Sequence, residues 1–253
     1  MKIGIMQPYF FPYIGYWQLM NAVDEYLIAD NVNYIKNGYI NRNKIELNGE
    51  PFNFGVSVRK ASQNRFICDH EHNLDRDSVD NLLKTLRSAY ANAPYFENTF
   101  EHVKSVLEFG LTDEGRNLAT FLENAIRTTA VKLGIATPIY RNSVDVPLDG
   151  EYKREYYVVA LCKKRGADVY YNAIGGTGLY FQSFFRENGL GLKFVKSNPE
   201  LSYARGNHEF IPNLSIIDVM MYCDEDQIKE LLSQFTLIDG YEDMQEKLMQ
   251  EAK

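Results

Sequence analysis

Long apolar runs are missing from this sequence: no window approaches 18 consecutive apolar residues, so nothing in it reads as a membrane span. Cysteine is scarce. Cys68, Cys162 and Cys223 are widely spaced and odd in number, which suits free thiols in a reducing compartment rather than a disulfide framework. A surplus of positive charge is missing too. With 27 Lys and Arg against 34 Asp and Glu the net charge is −7, which argues against a general grip on nucleic-acid polymers or anionic membranes. A local pocket for a nucleotide stays compatible with that balance. The opening residues carry one Lys and a short apolar run, too little for a signal peptide, so the expected location is cytoplasmic. There is no internal repeat, no Gly-x-Ser-x-Gly elbow and no Walker A Gly-Lys-Ser/Thr.

Aromatic residues, by contrast, are abundant, and several crowd the stretch Met1–Asn33. Lys2–Met6 alternates and is β-branched, as a buried strand should be. Gln7-Pro8-Tyr9-Phe10-Phe11-Pro12-Tyr13-Ile14-Gly15 follows, where two prolines enforce an extended, stiff loop. Trp17, Leu19, Met20 and Val23 then recur at helical spacing, and Glu25–Ala29 is a second strand. Strand, loop, helix, strand puts the aromatic loop at the carboxyl end of the first strand, the edge where open parallel sheets bind ligands. Covering the sheet end is an ordinary alternative role for any one of these aromatics.

Past Asp30 the chain turns polar. Asn37-Gly38 and Asn48-Gly49 are type I′ turn signals, the second followed by an alternating strand over Phe52–Val58. This hairpin-rich excursion presents Lys36, Asn41, Arg42, Asn43 and Lys44. Helical patterns occupy 78–134: Ser78 caps the first helix to Tyr90, Pro94 opens a second to about Phe109, and Thr112 a third to Leu133, with Gly134 closing it. They read as a helical subdomain inserted in a single α/β domain of 1–253, since no linker separates them. From Thr137 strands (Pro138–Arg141, Asp168–Tyr171, Leu192–Val195) alternate with helices (Glu151–Arg165, Leu179–Glu187), which predicts right-handed crossovers and a parallel sheet. Ser215–Tyr222 and Asp226–Phe235 finish as helices, with a polar tail from Glu242.

Asn172-Ala173-Ile174-Gly175-Gly176-Thr177-Gly178 is a glycine-rich turn between strand and helix, which suits an anion at a helix N-terminus. Tight helix–sheet packing is an equal reading of the same glycines. A second polar stretch runs from Tyr203 through His208 to Asp218, where Asn213 or Ser215 caps a helix. Cys68-Asp69-His70-Glu71-His72 has zinc-type donors without a distant partner set, so a solvated loop is the better reading and no metal is expected.

The stretch Gln7–Tyr16, together with Asn41-Arg42-Asn43-Lys44, the Gly175-Gly176 turn with Tyr180, and Asn213–Asp218, resembles the WbqC-like proteins. That family is associated with O-antigen and other surface-polysaccharide gene sets, some of which make amino sugars bearing an N-linked glycyl group. The resemblance implies transfer of an amino-acyl group, glycine in the first instance, to the amine of a nucleotide-linked amino sugar. The strand–loop–helix opening also looks like HIGH-type nucleotidyltransferases and pantoate–β-alanine ligases, which implies a Rossmann-like, HUP-like sheet. Tyr13 and Tyr16 stand where those enzymes carry two histidines. A phenol is a poor partner for departing pyrophosphate, so the acyl group is expected on a carrier rather than from ATP and Mg²⁺.

On this reading Gly175, Gly176, Arg42 and Lys44 hold the diphosphate. Tyr9, Phe10, Tyr13 and Tyr16 stack on sugar or base, with Lys36, Asn41, Tyr180 and Tyr203 completing the binding surface. His208 or Asp30 is the base, and Gln7 or Asn172 orients the developing oxyanion. Two alternatives stay open: an ATP-dependent adenylate-forming ligase or nucleotidyltransferase, and a non-catalytic protein that binds a nucleotide sugar.

Overall fold

The strand at the start of the chain, β1 (Lys2–Met6), lies at the middle of a six-stranded sheet, between β2 (Glu25–Ile28) and β6 (Val169–Ala173). The computed structural model describes residues 1–251 apart from Glu151, Lys153 and Asn207. The strand order is β5-β2-β1-β6-β7-β8, with β5 at Ile139–Arg141, β7 at Gly191–Ser197 and β8 at Phe235–Ile238. Every pairing is parallel except β7 with β8. This is an α/β, Rossmann-like fold.

Alternation along the strands sends side chains to two cores. Ile3, Ile5, Leu27, Tyr170, Leu192 and Phe194 meet α6 (Glu155–Arg165) and α7 (Gln182–Glu187) on one face. Tyr26, Ile28, Tyr171 and Val195 face the other, larger core. There they meet α1 (Ile14–Asn21), α8 (Ile216–Tyr222) and α9 (Glu225–Ser233). The crossover from β2 to β5 holds the antiparallel hairpin of β3 (Arg42–Leu47) and β4 (Glu50–Gly55), then α2 (Arg76–Tyr90), α3 (Phe96–Phe109) and α4 (Leu118–Lys132). Leu86, Phe100 and Phe121 of these helices share the core that contains Trp17 and Met220. Short α5 (Asn142–Asp145) follows β5, and α10 (Met244–Glu251) ends the chain. Among the described residues no helix is long and apolar enough to cross a membrane.

Several expectations need correction. Asn48 and Gly49, with φ of 56° and 81°, make the left-handed pair that a type I′ hairpin turn requires. At Asn37-Gly38 only Asn37 is left-handed and no strand flanks it. The first inserted helix starts at Arg76 under Asp75, and Ser78 closes that capping box from inside. The third starts at Leu118, capped by Asn117, because a 3-10 turn takes Glu114–Arg116. Helix α6 begins at Glu155; the first part of the expected helix includes Glu151 and Lys153, which lie outside the described residues. Phe235 opens an edge strand that the sequence pattern merged into a helix. Finally, the glycine turn does not open a helix: Ile174–Gly176 is a 3-10 turn and α7 starts only at Gln182. An anion at the glycine turn would therefore meet no helix N-terminus there.

Candidate functional site at the parting of two parallel strands

Strand order reverses between β1 and β6, since the chain runs outward from β1 to β2 and β5 before returning to β6 on β1's other side. At that point the two strands part. Their pairing stops at Gly4 opposite Tyr171, whereas β1–β2 pairing continues to Met6 opposite Ile28 and β6–β7 pairing to Ala173 opposite Val195. The last residues of β1 and β6 are thus not paired with each other, and the gap this leaves at the carboxyl edge, the usual ligand position in open α/β sheets, is the candidate crevice. Tyr170 donates its hydroxyl to the Ile5 carbonyl at 3.3 Å at its foot. Gln7 follows β1 on one side of that gap; Asn172, near the end of β6, and the 3-10 turn stand on the other.

The Gln7–Tyr13 loop is fixed by bonds to its backbone. Phe10 N–H donates to the Ile40 carbonyl at 3.0 Å, and Trp17 Nε1 and Ile216 N–H both donate to the Pro12 carbonyl at 3.0 Å. The Phe11 carbonyl accepts from Asn43 Nδ2 at 2.9 Å and Ser215 Oγ at 2.7 Å. Phe11 itself has φ of 41°, a left-handed conformation that is costly for a bulky side chain and persists only where surroundings impose it. The family-like segments Asn43 and Ser215 supply those surroundings. Phe10 is corrected here: it is fully buried between Phe54 and Phe121, with ring centroids 6.0 and 5.8 Å away, and belongs to the core rather than to a binding surface.

Of the loop aromatics only Tyr9 and Tyr13 are partly exposed; Tyr16, expected to stack on the ligand, is corrected with Phe10, since it and Phe11 are fully buried in the same core. Tyr9 is half-buried, 5.8 Å from the Tyr16 ring and 6.3 Å from that of Tyr39. Tyr180 reaches in from the opposite wall, edge-on to Tyr170 at 5.7 Å, close enough to Tyr9 to act on its ionisation. Burial pushes the phenols of Tyr9, Tyr13, Tyr16 and Tyr180 above the ordinary tyrosine value, so all are neutral donors at physiological pH. Tyr16 donates to the Gln7 carbonyl at 3.2 Å. The Gln7 side-chain amide is half-buried and has no partner among the described residues. Asn172 uses Oδ1 to accept the Ala173 N–H at 2.8 Å, which leaves Nδ2 over Gly176. Lys247 of α10, which the sequence did not single out, brings its ammonium beside Gly178: a Cβ there would meet Nζ at 3.2 Å.

Other expected residues sit elsewhere. Asp30 is fully buried at the end of β2, accepting from the Ser143 N–H at 2.9 Å and Oγ at 2.5 Å, with Arg141 Nε at 3.4 Å. Burial raises its pKa against the lowering effect of those partners, yet both oxygens are spent tying β2 to the β5–α5 turn. Asn41 bonds Tyr34 and Val56, and Arg42 donates to the Asn37 carbonyl at 2.8 Å. Lys36 and Lys44 are exposed.

Tyr203 and His208 belong to a buried ionic cluster invisible in sequence. Arg205, with no exposed side-chain surface, grips Asp218 through Nε and NH2 at 2.9 and 2.8 Å and reaches Glu46 at 3.3 Å. Tyr203 and Tyr90 donate to the same Asp218 carboxylate at 2.6 and 2.8 Å. His208 is half exposed at the edge, 3.8 Å from Glu46. No sequence pattern links Arg205 to Asp218 and Glu46, which meet only by folding.

His70 and His72 are bound to backbone: His70 Nδ1 to the Phe66 carbonyl and His72 Nε2 to the Gly115 carbonyl, each at 2.7 Å. Among the described residues no three His, Cys, Asp or Glu side chains are grouped to hold a metal. Two clefts, of about 220 and 350 Å³, lie apart from the rim, one around Arg59, His72 and Arg116 and the other around Tyr152, Tyr156 and Lys163.

The wall residues Gln7, Asn172 and Tyr180 and the loop's clamps Asn43 and Ser215 all lie within residues 7–230, the span matched by the model of the WbqC-like protein family. The chain belongs to that family. Among curated proteins, an uncharacterised protein of Mycobacterium tuberculosis (strain ATCC 25618 / H37Rv), Rv1507c, is 24% identical over 223 residues, covering 87% of this chain and 92% of its own. No solved structure matches this WbqC-like protein. The family match starts at Gln7, where β1 ends and the crevice opens, and stops before Lys247.

Proposed function

We propose that this WbqC-like protein transfers an amino-acyl group, glycine in the first instance, to the amine of a nucleotide-linked amino sugar in surface-polysaccharide synthesis, and that the β1–β6 crevice is the site. The observation that carries the reading is the pair of side-chain amides at the parting ends of β1 and β6, Gln7 and Asn172, whose N–H groups have no partner among the described residues.

Neutral phenols and amides are suited to a sugar: hydroxyls bond to them, and the ring's apolar face lies on tyrosine. The 3-10 turn and Lys247 are the nearest features for a diphosphate. The acyl donor arrives already activated on a carrier. The amine nitrogen attacks the acyl carbon, and Gln7 Nε2–H and Asn172 Nδ2–H stabilise the oxyanion. The bond to the carrier then breaks and its departing atom takes the proton the amine gives up. Asp30, one of the bases expected from sequence, has both oxygens committed to Ser143, and His208, the other, stands beside Glu46, so the amine's own neutral fraction feeds the reaction. Purified protein, acceptor and carrier-bound glycine form the glycylated sugar nucleotide on this reading, and Gln7→Ala abolishes it without unfolding the protein.

A second reading, nucleotide-sugar binding without catalysis, is favoured by one observation: none of the tyrosine and amide side chains at the rim exchanges a proton near neutral pH. Tight acceptor binding with no product from any donor would establish it.

A further inference from the structure

Residues 35–66, between the rim and the inserted helices, reverse the charge of the chain. They hold six Lys or Arg against Glu46 and Glu50, in a protein of net charge −7, and Glu46 is buried against Arg205. Lys36, Arg42, Lys44, Lys60 and Arg65 have no carboxylate partner among the described residues; only Arg59 is paired, with Glu71. Such concentrated unpaired charge raises the potential of one surface against the background of the rest.

The segment is held together by its own backbone. A bridge joins Asn33 to Phe66, Tyr34 N–H donates to the Arg65 carbonyl at 3.0 Å, and Val56 N–H donates to the Asn41 carbonyl at 2.8 Å. Apolar side chains are exposed among the cations: Ile35, Phe52 and Phe66 are each more than two-fifths accessible. The surface also adjoins the crevice, because Tyr39, half exposed, packs 6.3 Å from Tyr9.

We propose that this basic, apolar-studded surface docks an acidic acyl-carrier protein, whose thioester-bearing arm then passes Tyr39 into the crevice. The inference rests on the transfer reading above, which requires a donor delivered by a partner. Charge complementarity supplies the attraction, and the exposed apolar groups supply a core for a small interface. A compact acidic protein fits better than RNA, since a long polyanion would run from this patch onto an acidic surface.

The test is fluorescence anisotropy of the full chain with glycyl-loaded holo acyl carrier protein, with glycyl-tRNA in parallel. The expected result is carrier binding that weakens at least tenfold from 50 to 300 mM salt and at least tenfold in Lys60→Glu/Arg65→Glu, but not in the control Lys84→Glu/Lys229→Glu. Calorimetry of nucleotide amino sugar, unchanged in Lys60→Glu/Arg65→Glu, reports separately on the crevice. Wild-type protein that binds no carrier, loses it equally in both double variants, or binds only the tRNA overturns the proposal. Carrier docking without sugar binding would instead count against the transfer reading alone.

Discussion

The amide nitrogen of Asn172 rests over Gly176 so closely that a methyl group on that glycine would overlap it. Gly176 is therefore required by a neighbouring side chain, whatever the turn binds. Gly176→Ala is expected to swing the Asn172 amide from its place, and misplacing a reacting-group partner by about 1 Å costs about 100-fold in rate. A transfer assay beside a thermal melt checks this: rate collapses while folding persists.

Tyr26 carries the opposite kind of information. Its hydroxyl is fully buried, with the Tyr16 ring edge-on at 5.5 Å and its phenol near enough to act on Tyr26's ionisation, but it makes no hydrogen bond of good geometry among the described residues. A buried unsatisfied polar group costs about 1–3 kcal/mol. Tyr26→Phe should therefore be neutral or stabilising by about 1 kcal/mol in urea denaturation; a loss of that size would show that the hydroxyl has a partner in solution.

The Arg205 cluster predicts a contrast between two neighbours. Removing one member of a buried ion pair strands the other, at about 3–5 kcal/mol, so Arg205→Ala should unfold at much lower urea than the parent. His208→Ala, at an exposed edge, should move stability by less than about 0.5 kcal/mol. Equal effects would contradict the placement.

Acid should weaken the fold through His102. Its Nε2 bonds Thr129 Oγ1 at 2.9 Å between α3 and α4, and burial, then Lys132, push its pKa down from 6.5 to about 4. Between those values the unfolded chain binds the proton and the folded one does not, so stability falls as pH drops from about 6.5 to 4 and levels below. His72, lowered chiefly by burial, adds in the same direction. The His102 ring also meets Phe11 edge-on at 6.1 Å, which links this weakening to the strained loop. Melting points at pH 7 and 4.5 should differ less in His102→Gln.

What the sequence disclosed follows from the range of the forces involved. The order strand, proline loop, helix, strand was legible because alternation, prolines and helical spacing are local, and they placed Gln7 and Asn172 at the carboxyl ends of β1 and β6. Adjacency of those strands is a matter of strand order, which periodicity does not encode. The same holds for Arg205 with Asp218 and for Lys247 with Gly178, contacts made by segments far apart in the chain. Phe10 misled because a buried and a ligand-stacking phenylalanine look alike in a loop. Phe235 misled because, as the apolar first residue of a strand, it extended the helical pattern of the residues before it.

Donor chemistry is separable from the site. If glycine arrives on a carrier, pyrophosphate release in the presence of glycine, ATP and Mg²⁺ should stay at background while carrier-bound glycine supports product. Glycine-dependent pyrophosphate release would replace the carrier by direct adenylation.

The most direct measurement is a calorimetric titration of the purified protein with TDP- and UDP-linked amino sugars, repeated with Gly176→Leu, whose side chain would fill the space beside Asn172. The crevice account predicts saturable binding of one sugar nucleotide per chain, lost in the variant. Heat with neither nucleotide sugar, or binding that survives Gly176→Leu undiminished, would contradict it.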